Sequence, residues 1–203
     1  MTIGEARKIY SGQIHEFWNQ KLSLAKQKKE LESKANAAGT DKDRFNEQAA
    51  TLELSYHAVT EKYNEYHDFM QQLMELHSAY FNEEASRQQA DAMAEYAKDL
   101  SKIMETARRI AHGDKVPMSD EKKLMEFNME MYMAAKNMAS INQSQKHKEH
   151  DSLWKDEEEP TENQDPFEYA NDKEMSLEAP EVVDVQDVLA SANAGTDLSA
   201  TES

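Results

Sequence analysis

The sequence predicts an all-α protein, and three observations carry that prediction. Only 5 Gly and 4 Pro occur in 203 residues, too few turn formers for a multi-stranded sheet. Strong helix formers (Ala, Glu, Lys, Gln, Met and Leu) dominate the remainder. Apolar residues recur at alternating spacings of three and four over long stretches, the period of a helical seam. An apolar fraction of 38% beside 31% charged residues suits elongated antiparallel coiled-coil hairpins around a long central helix better than a thick spherical core.

The first helix, residues 3–37, opens on Thr2, Ile3, Gly4 and Glu5, the pattern of a capping box in which hydroxyl and carboxylate satisfy orphan amides. Ile3, Tyr10, Phe17, Leu24 and Leu31 follow at intervals of seven, with Ile14 and Ala35 on an adjoining seam. Arg7, Lys21 and Lys28 share that face, where their stems cover apolar surface and their heads reach water. Asn36 to Gly39 end the helix.

The second helix, 41–112, contains no Gly or Pro. Phe45, Ala49, Leu52, Tyr56, Val59, Tyr63, Tyr66, Met70, Leu73, His77 and Tyr80 make five consecutive heptads. The alternation resumes two residues out of phase at Met93, Tyr96, Leu100, Ile103, Ala107 and Ile110, so the stripe turns to another face between Asn82 and Asp91. A continuous helix would be on the order of 100 Å long; a break near residue 85 gives a compact four-helix alternative. The first half is expected to pair with the first helix and the second half with the third, both antiparallel because the loops are short.

Gly113 and Pro117 mark the next turn, and Ser119, Asp120 and Glu121 read as a helix start with acids at the favourable end of the dipole. The third helix, 119–148, carries Leu124, Phe127, Met131, Ala135, Met138 and Ile141 on its main face. Residues 1–150 thus form a helical body. From 151 to 203 the periodicity stops and the composition becomes acidic, which predicts a disordered acidic tail. Leu153 with Trp154, Phe167 with Tyr169, and the segment Pro180 to Ala192 interrupt it.

Charge narrows the function classes. The tail holds 16 Asp and Glu against 2 Lys, net −14, which leaves the first 150 residues at −3. That distribution repels phosphate backbones and anionic lipid, so neither nucleic acid nor membrane is an expected partner. The longest apolar run, Met131 to Ala135, is far short of a bilayer span, and the N-terminus has no signal-like apolar stretch. A cytoplasmic location is expected. There is no Cys, which removes disulfides, thiolate metal sites and Cys nucleophiles.

No catalytic or cofactor motif is legible. None of the seven His has Glu three residues before it, and His-Glu-x-x-His is missing. His147 and His150 share a face in a charged helix end, where a solvated pair is the ordinary reading and a metal site the sharper one. His77 lies on the seam, where a lone polar residue sets register. Tyr56, Tyr63 and Tyr66 are expected to bury their rings and leave the hydroxyls at a wet edge.

Two features point to protein binding. Met125, Met129, Met133 and Lys136 form a second stripe on the third helix, and six of the 12 methionines fall between Met118 and Met138. Flexible, polarizable Met-rich surfaces adapt to partners, so this stripe reads as a partner groove or homodimer face, or else as a thicker core. In the tail, Val182, Val185, Val188, Leu189 and Ala192 would share one helical face, the pattern of an acidic segment that folds into a partner's groove. Arg108, Arg109, His112, Lys115, Lys122 and Lys123 cluster near the second turn, as a receiver for the acidic tail or as ordinary helix-end charge.

The expected function is therefore a non-enzymatic, cofactor-free adaptor or chaperone-like scaffold whose partners are proteins, including a second copy of itself. A structural or exported component of a secretion or surface assembly is the alternative, and a helical metal protein the third reading.

Overall fold

A computed structural model describes residues 1–38, 42–141, 148–155 and 163–197. They are mostly helical: α1 (Ile3–Ala38), α2 (Lys42–His112), α3 (Met118–Phe127), α4 (Met129–Ile141), α5 (Pro166–Asp172) and α6 (Val185–Asp197). Among the described residues no strand occurs beyond two isolated bridges. The chain divides into unit 1, residues 1–83 with 165–203, and unit 2, residues 84–164.

Unit 1 begins with the capping box the sequence predicts. The Thr2 amide donates to the Glu5 carboxylate at 2.9 Å and the Glu5 amide donates to the Thr2 hydroxyl at 3.2 Å. Ile3, Tyr10, Phe17 and Leu24 are buried with Val59, Tyr66, Phe69 and Leu73 of α2. Contacts step up one helix as they step down the other: Tyr10 meets Phe69 at 4.5 Å between ring centroids, Phe17 meets Tyr66 at 5.4 Å, and Lys28 bonds Glu53. Lys21 covers the seam as its long stem allows, with its ammonium 5.0 Å from the Tyr63 ring. Ala49, the weakest member of the seam, is exposed.

α2 is one helix of 71 residues with no break near residue 85. Glu84, close to the change of phase, is buried and accepts from Arg87 and Gln88 one turn on, so its charge is met by helix neighbours. The change of phase has a visible consequence in unit 2, where Ile103 and Ile110 are buried. Met93 and Tyr96, the first two members of that stripe, are exposed. Gly113, at φ 91°, ends α2 in the left-handed conformation that an L side chain resists, and the amides of Gly113 and Asp114 close back onto Ile110 and Arg109.

The single third helix expected over 119–148 is two helices. Asn128 is extended, with φ −158° and ψ 102°, and its side chain accepts from the Met131 amide at 2.9 Å. Asn is a strong N-cap, and here it ends α3 and starts α4. Lys148 is no longer helical; the Lys115 amide donates to its carbonyl and the His150 amide to that of Lys115. The core of unit 2 is small: Ile103, Ile110, Leu124 and Ala135 are buried, with Val116, Met131, Tyr132 and Trp154 packed around them.

The expectation of disorder after residue 151 does not describe residues 163–194. Asp165 caps α5, its carboxylate accepting from the Phe167 amide at 2.7 Å, and Ala170 is buried. A Cβ on Gly4 would lie 3.2 Å from the Asn171 Cβ, so the glycine permits the close approach of α1 and α5. The Ile3 amide donates to the Lys173 carbonyl and the Met175 amide to that of Met1. Met175, Leu177, Ala179 and Val183 then pack on the unit 1 core from an extended stretch, and α6 follows, capped by Asp184. Acidity alone does not prevent ordering here, because Met175, Leu177 and Ala179 alternate with Ser176 and Glu178 and a preformed seam receives them. The charge run 156–159 and residues 198–203 lie outside the described residues.

Candidate interaction surfaces

α4 carries nine apolar residues among its thirteen, yet only Ala135 is buried. Met129 and Met133 are 56% and 53% exposed, one turn apart on one face, and Lys136 continues that face to the Glu121 carboxylate at 3.0 Å. Met138 is half exposed and Ile141 is 81% exposed. Met125 is half-buried on α3, so the break at Asn128 divides the predicted stripe and leaves Met129 and Met133 as its exposed part. Phe127, assigned to the main face by periodicity, is exposed beside that break. A helix apolar on most sides is ordinarily buried on most sides, and this one is covered on one.

A second surface of unit 2 already holds a peptide, residues 148–155. The Asp114 carboxylate accepts from the Lys148 amide at 2.9 Å, from His150 Nε2 at 2.9 Å and from His112 Nδ1 at 3.1 Å. These bonds, that from the Lys148 amide first, hold its pKa well below the usual carboxylate range. Buried Asp120 accepts from the Ser119 hydroxyl at 2.9 Å, the Ser152 hydroxyl at 2.6 Å and the Leu153 amide at 2.9 Å. Trp154 lies under Lys123, whose ammonium is 4.4 Å from the ring centroid, and its indole donates to Asp99 at 3.1 Å. Sequence reasoning assigned Asp120 to the helix dipole alone and missed this role, since nothing local announces a partner 32 residues away.

The predicted basic cluster is largely engaged. Arg108 and Arg109 both donate to Glu105, and these bonds lower its pKa to about 2. Lys122 pairs with Glu126, and His112 and Lys123 belong to the peptide contact. His150 is turned to Asp114, and His147 lies outside the described residues. Among the described residues no group of three His, Asp or Glu is arranged to hold a metal ion, and no helix is long and apolar enough to cross a membrane.

In unit 1 the predicted binding segment is seated on its own chain. Val185 is 8% exposed within the core, Val188 and Leu189 pack against it, and Val182 is 48% exposed. Tyr10 donates to the Pro180 carbonyl. Tyr66 donates to the Glu181 carbonyl at 2.8 Å and accepts from the Val183 amide at 3.1 Å. Tyr66 therefore has no wet edge, contrary to the sequence expectation, because the tail covers it. Burial first, then Tyr66 and Glu65, raises the Tyr10 pKa and keeps the hydroxyl protonated as a donor. Ser55 reaches Asn193 at 3.0 Å, where a cleft of about 670 Å³ continues along α1 and α2 past Leu24, Leu31 and Leu52.

His77 is buried against α5, 5.0 Å from the Phe167 ring, and its Nε2 has no hydrogen-bond partner among the described residues. Burial first, then the charge of Arg7, lowers its pKa. It is a neutral packing residue in this setting. No family model, no curated protein and no solved structure matches this chain.

Proposed function

We propose that this chain is a non-enzymatic, protein-binding helical scaffold of the coiled-coil adaptor or chaperone-like kind, working in the cytoplasm, with α4 as its principal partner face. One observation carries the reading: a helix with nine apolar residues in thirteen leaves Met129, Met133, Met138 and Ile141 in water. Exposing that surface costs solubility without adding to the fold, which is the mark of a surface that meets another protein. Methionine suits such a role because its thioether and unbranched chain repack against different partners.

The experiment is co-purification of full-length wild type and the Met129→Gln, Met133→Gln double variant from the source cells. A protein retained by wild type and lost by a variant of unchanged melting temperature supports the reading. Identical retention by both sinks it. A second copy is the other occupant worth testing, since Met93 and Tyr96 of α2 are exposed on the stripe that continues into Leu100 and Ile103. Light scattering across a concentration series separates the two, because self-association rises with concentration and involves no other protein.

A further inference from the structure

We propose that the exposed methionines of unit 2 are a modification site for two-electron oxidants of the peroxide class, which convert them to sulfoxides and turn the α4 face from apolar to polar while the fold stays intact. That the conversion releases a protein partner rests on the reading of α4 as a partner face; the modification itself does not.

The distribution of sulfur carries this inference. All 12 methionines fall among the described residues, and none of them is buried. The buried apolar residues are Ile, Leu, Val, Phe, Tyr and Ala. Methionine is ordinarily among the residue types found most often in interiors, so its absence from the buried set of both cores sets this chain apart. Met93, Met104, Met118, Met129, Met133 and Met138 of unit 2 are each more than half exposed. Met70, Met125, Met131 and Met175 are half-buried. The chain has no Cys, so no thiolate competes with these thioethers for an oxidant.

The step is an oxygen transfer. A thioether sulfur attacks one peroxide oxygen, the S–O bond forms as the O–O bond breaks, and the released hydroxide takes the proton of the transferred oxygen and leaves as water. Sulfur loses two electrons and the peroxide gains them. Reversal takes a sulfoxide reductase, which oxidises a dithiol to a disulfide and releases the oxygen as water. With no Cys in this chain, that dithiol belongs to another protein.

On α4 three of the four exposed large apolar side chains, Met129, Met133 and Met138, are thioethers, and only Ile141 is not. Each sulfoxide adds a strong acceptor to a side chain that would otherwise be buried against a partner, and an acceptor carried into an apolar interface without a donor is costly. The fold has little to lose. Ile103, Ile110, Leu124 and Ala135 hold the unit 2 core, and Tyr132 and Lys136 fasten α4 to Glu121 through a hydroxyl and an ammonium that peroxide leaves alone. Exposure thus separates the sulfurs that change the surface from Met131, which packs on the core.

The test treats the full-length chain with graded hydrogen peroxide, removes the excess with catalase and reads each methionine by peptide mass spectrometry. Met118, Met129 and Met133 should gain oxygen at least about fivefold faster than Met70 and Met131, since susceptibility follows exposure. With those three oxidised the melting temperature should hold. Emission of anilinonaphthalene sulfonate, the dye used as probe for exposed apolar surface, should fall at least about twofold. Methionine sulfoxide reductases for both epimers, supplied with a dithiol, should restore it. Oxidation at one rate throughout, loss of the fold, or emission indifferent to the sulfoxides overturns the proposal. Co-purification with treated and untreated chain is the second arm. A partner held by the untreated chain, lost on oxidation and regained after reduction supports the release, whereas a partner held equally by both overturns it. No partner held even by the untreated chain defeats the partner-face reading alone, and the dye then decides the modification by itself.

Discussion

The two units bury their seams to different depths. In unit 1 the α1 and α2 seam holds Tyr10, Phe17, Tyr66 and Phe69, and residues from the distant tail cover its open side. Two helices leave the wet edge of such a seam exposed, and α5, the extended stretch and α6 close it. In unit 2 the buried apolar set is Ile103, Ile110, Leu124 and Ala135, and among the described residues the segment laid over it, 148–155, is held by carboxylates more than by apolar contact. The outer sides of α4 have no comparable cover among the described residues. A similar helical pattern therefore yields a thick core where the chain supplies a third layer, and an unsatisfied apolar surface where it does not.

The sharpest way to break that comparison is to attack both cores alike. Leu73→Asp puts a charge among buried aromatics with no partner at hand and should cost several kcal/mol, a large share of a typical domain's stability. Leu124→Ala should cost about 2–5 kcal/mol, the usual range for emptying a buried leucine site. If the units are separate cores, calorimetry will show the Leu73 variant losing one transition and the Leu124 variant shifting the other. One transition shared by both variants would mean that the long helix couples them into a single cooperative fold.

Helices and their seams were legible because a heptad is a local signal, and Ile3, Tyr10, Phe17, Val59, Tyr66 and Leu73 are all buried as the spacing required. The capping box was legible for the same reason. The break at Asn128 was not, since one capping residue inside a helix-forming run changes no average. Residues 163–194 were misread because composition dominated: their acids suggested disorder, while the alternation of Met175, Leu177 and Ala179 signalled an extended half-buried strand-like run. Val185, Val188 and Leu189 were expected to share one helical face turned to a partner, and what no sequence pattern supplied was that they pack on their own chain. The hubs at Asp114 and Asp120 depend on partners more than thirty residues away, which sequence periodicity cannot reveal.

A smaller effect sharpens the contrast between apolar and carboxylate fastening. Asp120→Ala leaves the Ser152 hydroxyl and Leu153 amide without their acceptor and should cost about 1–3 kcal/mol, with Trp154 fluorescence shifting to the red as the segment lifts. Unchanged emission would show that the Lys123 ammonium over Trp154 and the indole bond to Asp99 suffice. Acid should separate the units too. His77 has a lowered folded pKa, so below its unfolded value of about 6.5 the unfolded chain takes up the proton first and unit 1 loses stability as pH falls. Asp114 has a depressed pKa, so its contribution is intact above the ordinary 3.8 and is lost only below it. The unit 1 transition should therefore move down between pH 7 and 5 while the unit 2 transition holds, and His77→Asn should flatten the first dependence. Parallel shifts in both would discard His77 as the cause.

The smallest effect on stability is expected where the proposed effect on function is largest. Met129 and Met133 are more than half exposed, so replacing both with Gln removes little buried area and trades a flexible apolar chain for a polar one of similar length. Substitutions away from buried contacts usually fall within about 0.5 kcal/mol, and the melting temperature of unit 2 should hold. Gln also keeps the helix propensity of α4, which removes fraying as an explanation. Retention of a partner by wild type and its loss in the double variant would then trace to the surface alone. A marked fall in melting temperature would instead place these side chains in a core, and α4 would need its cover from within the chain.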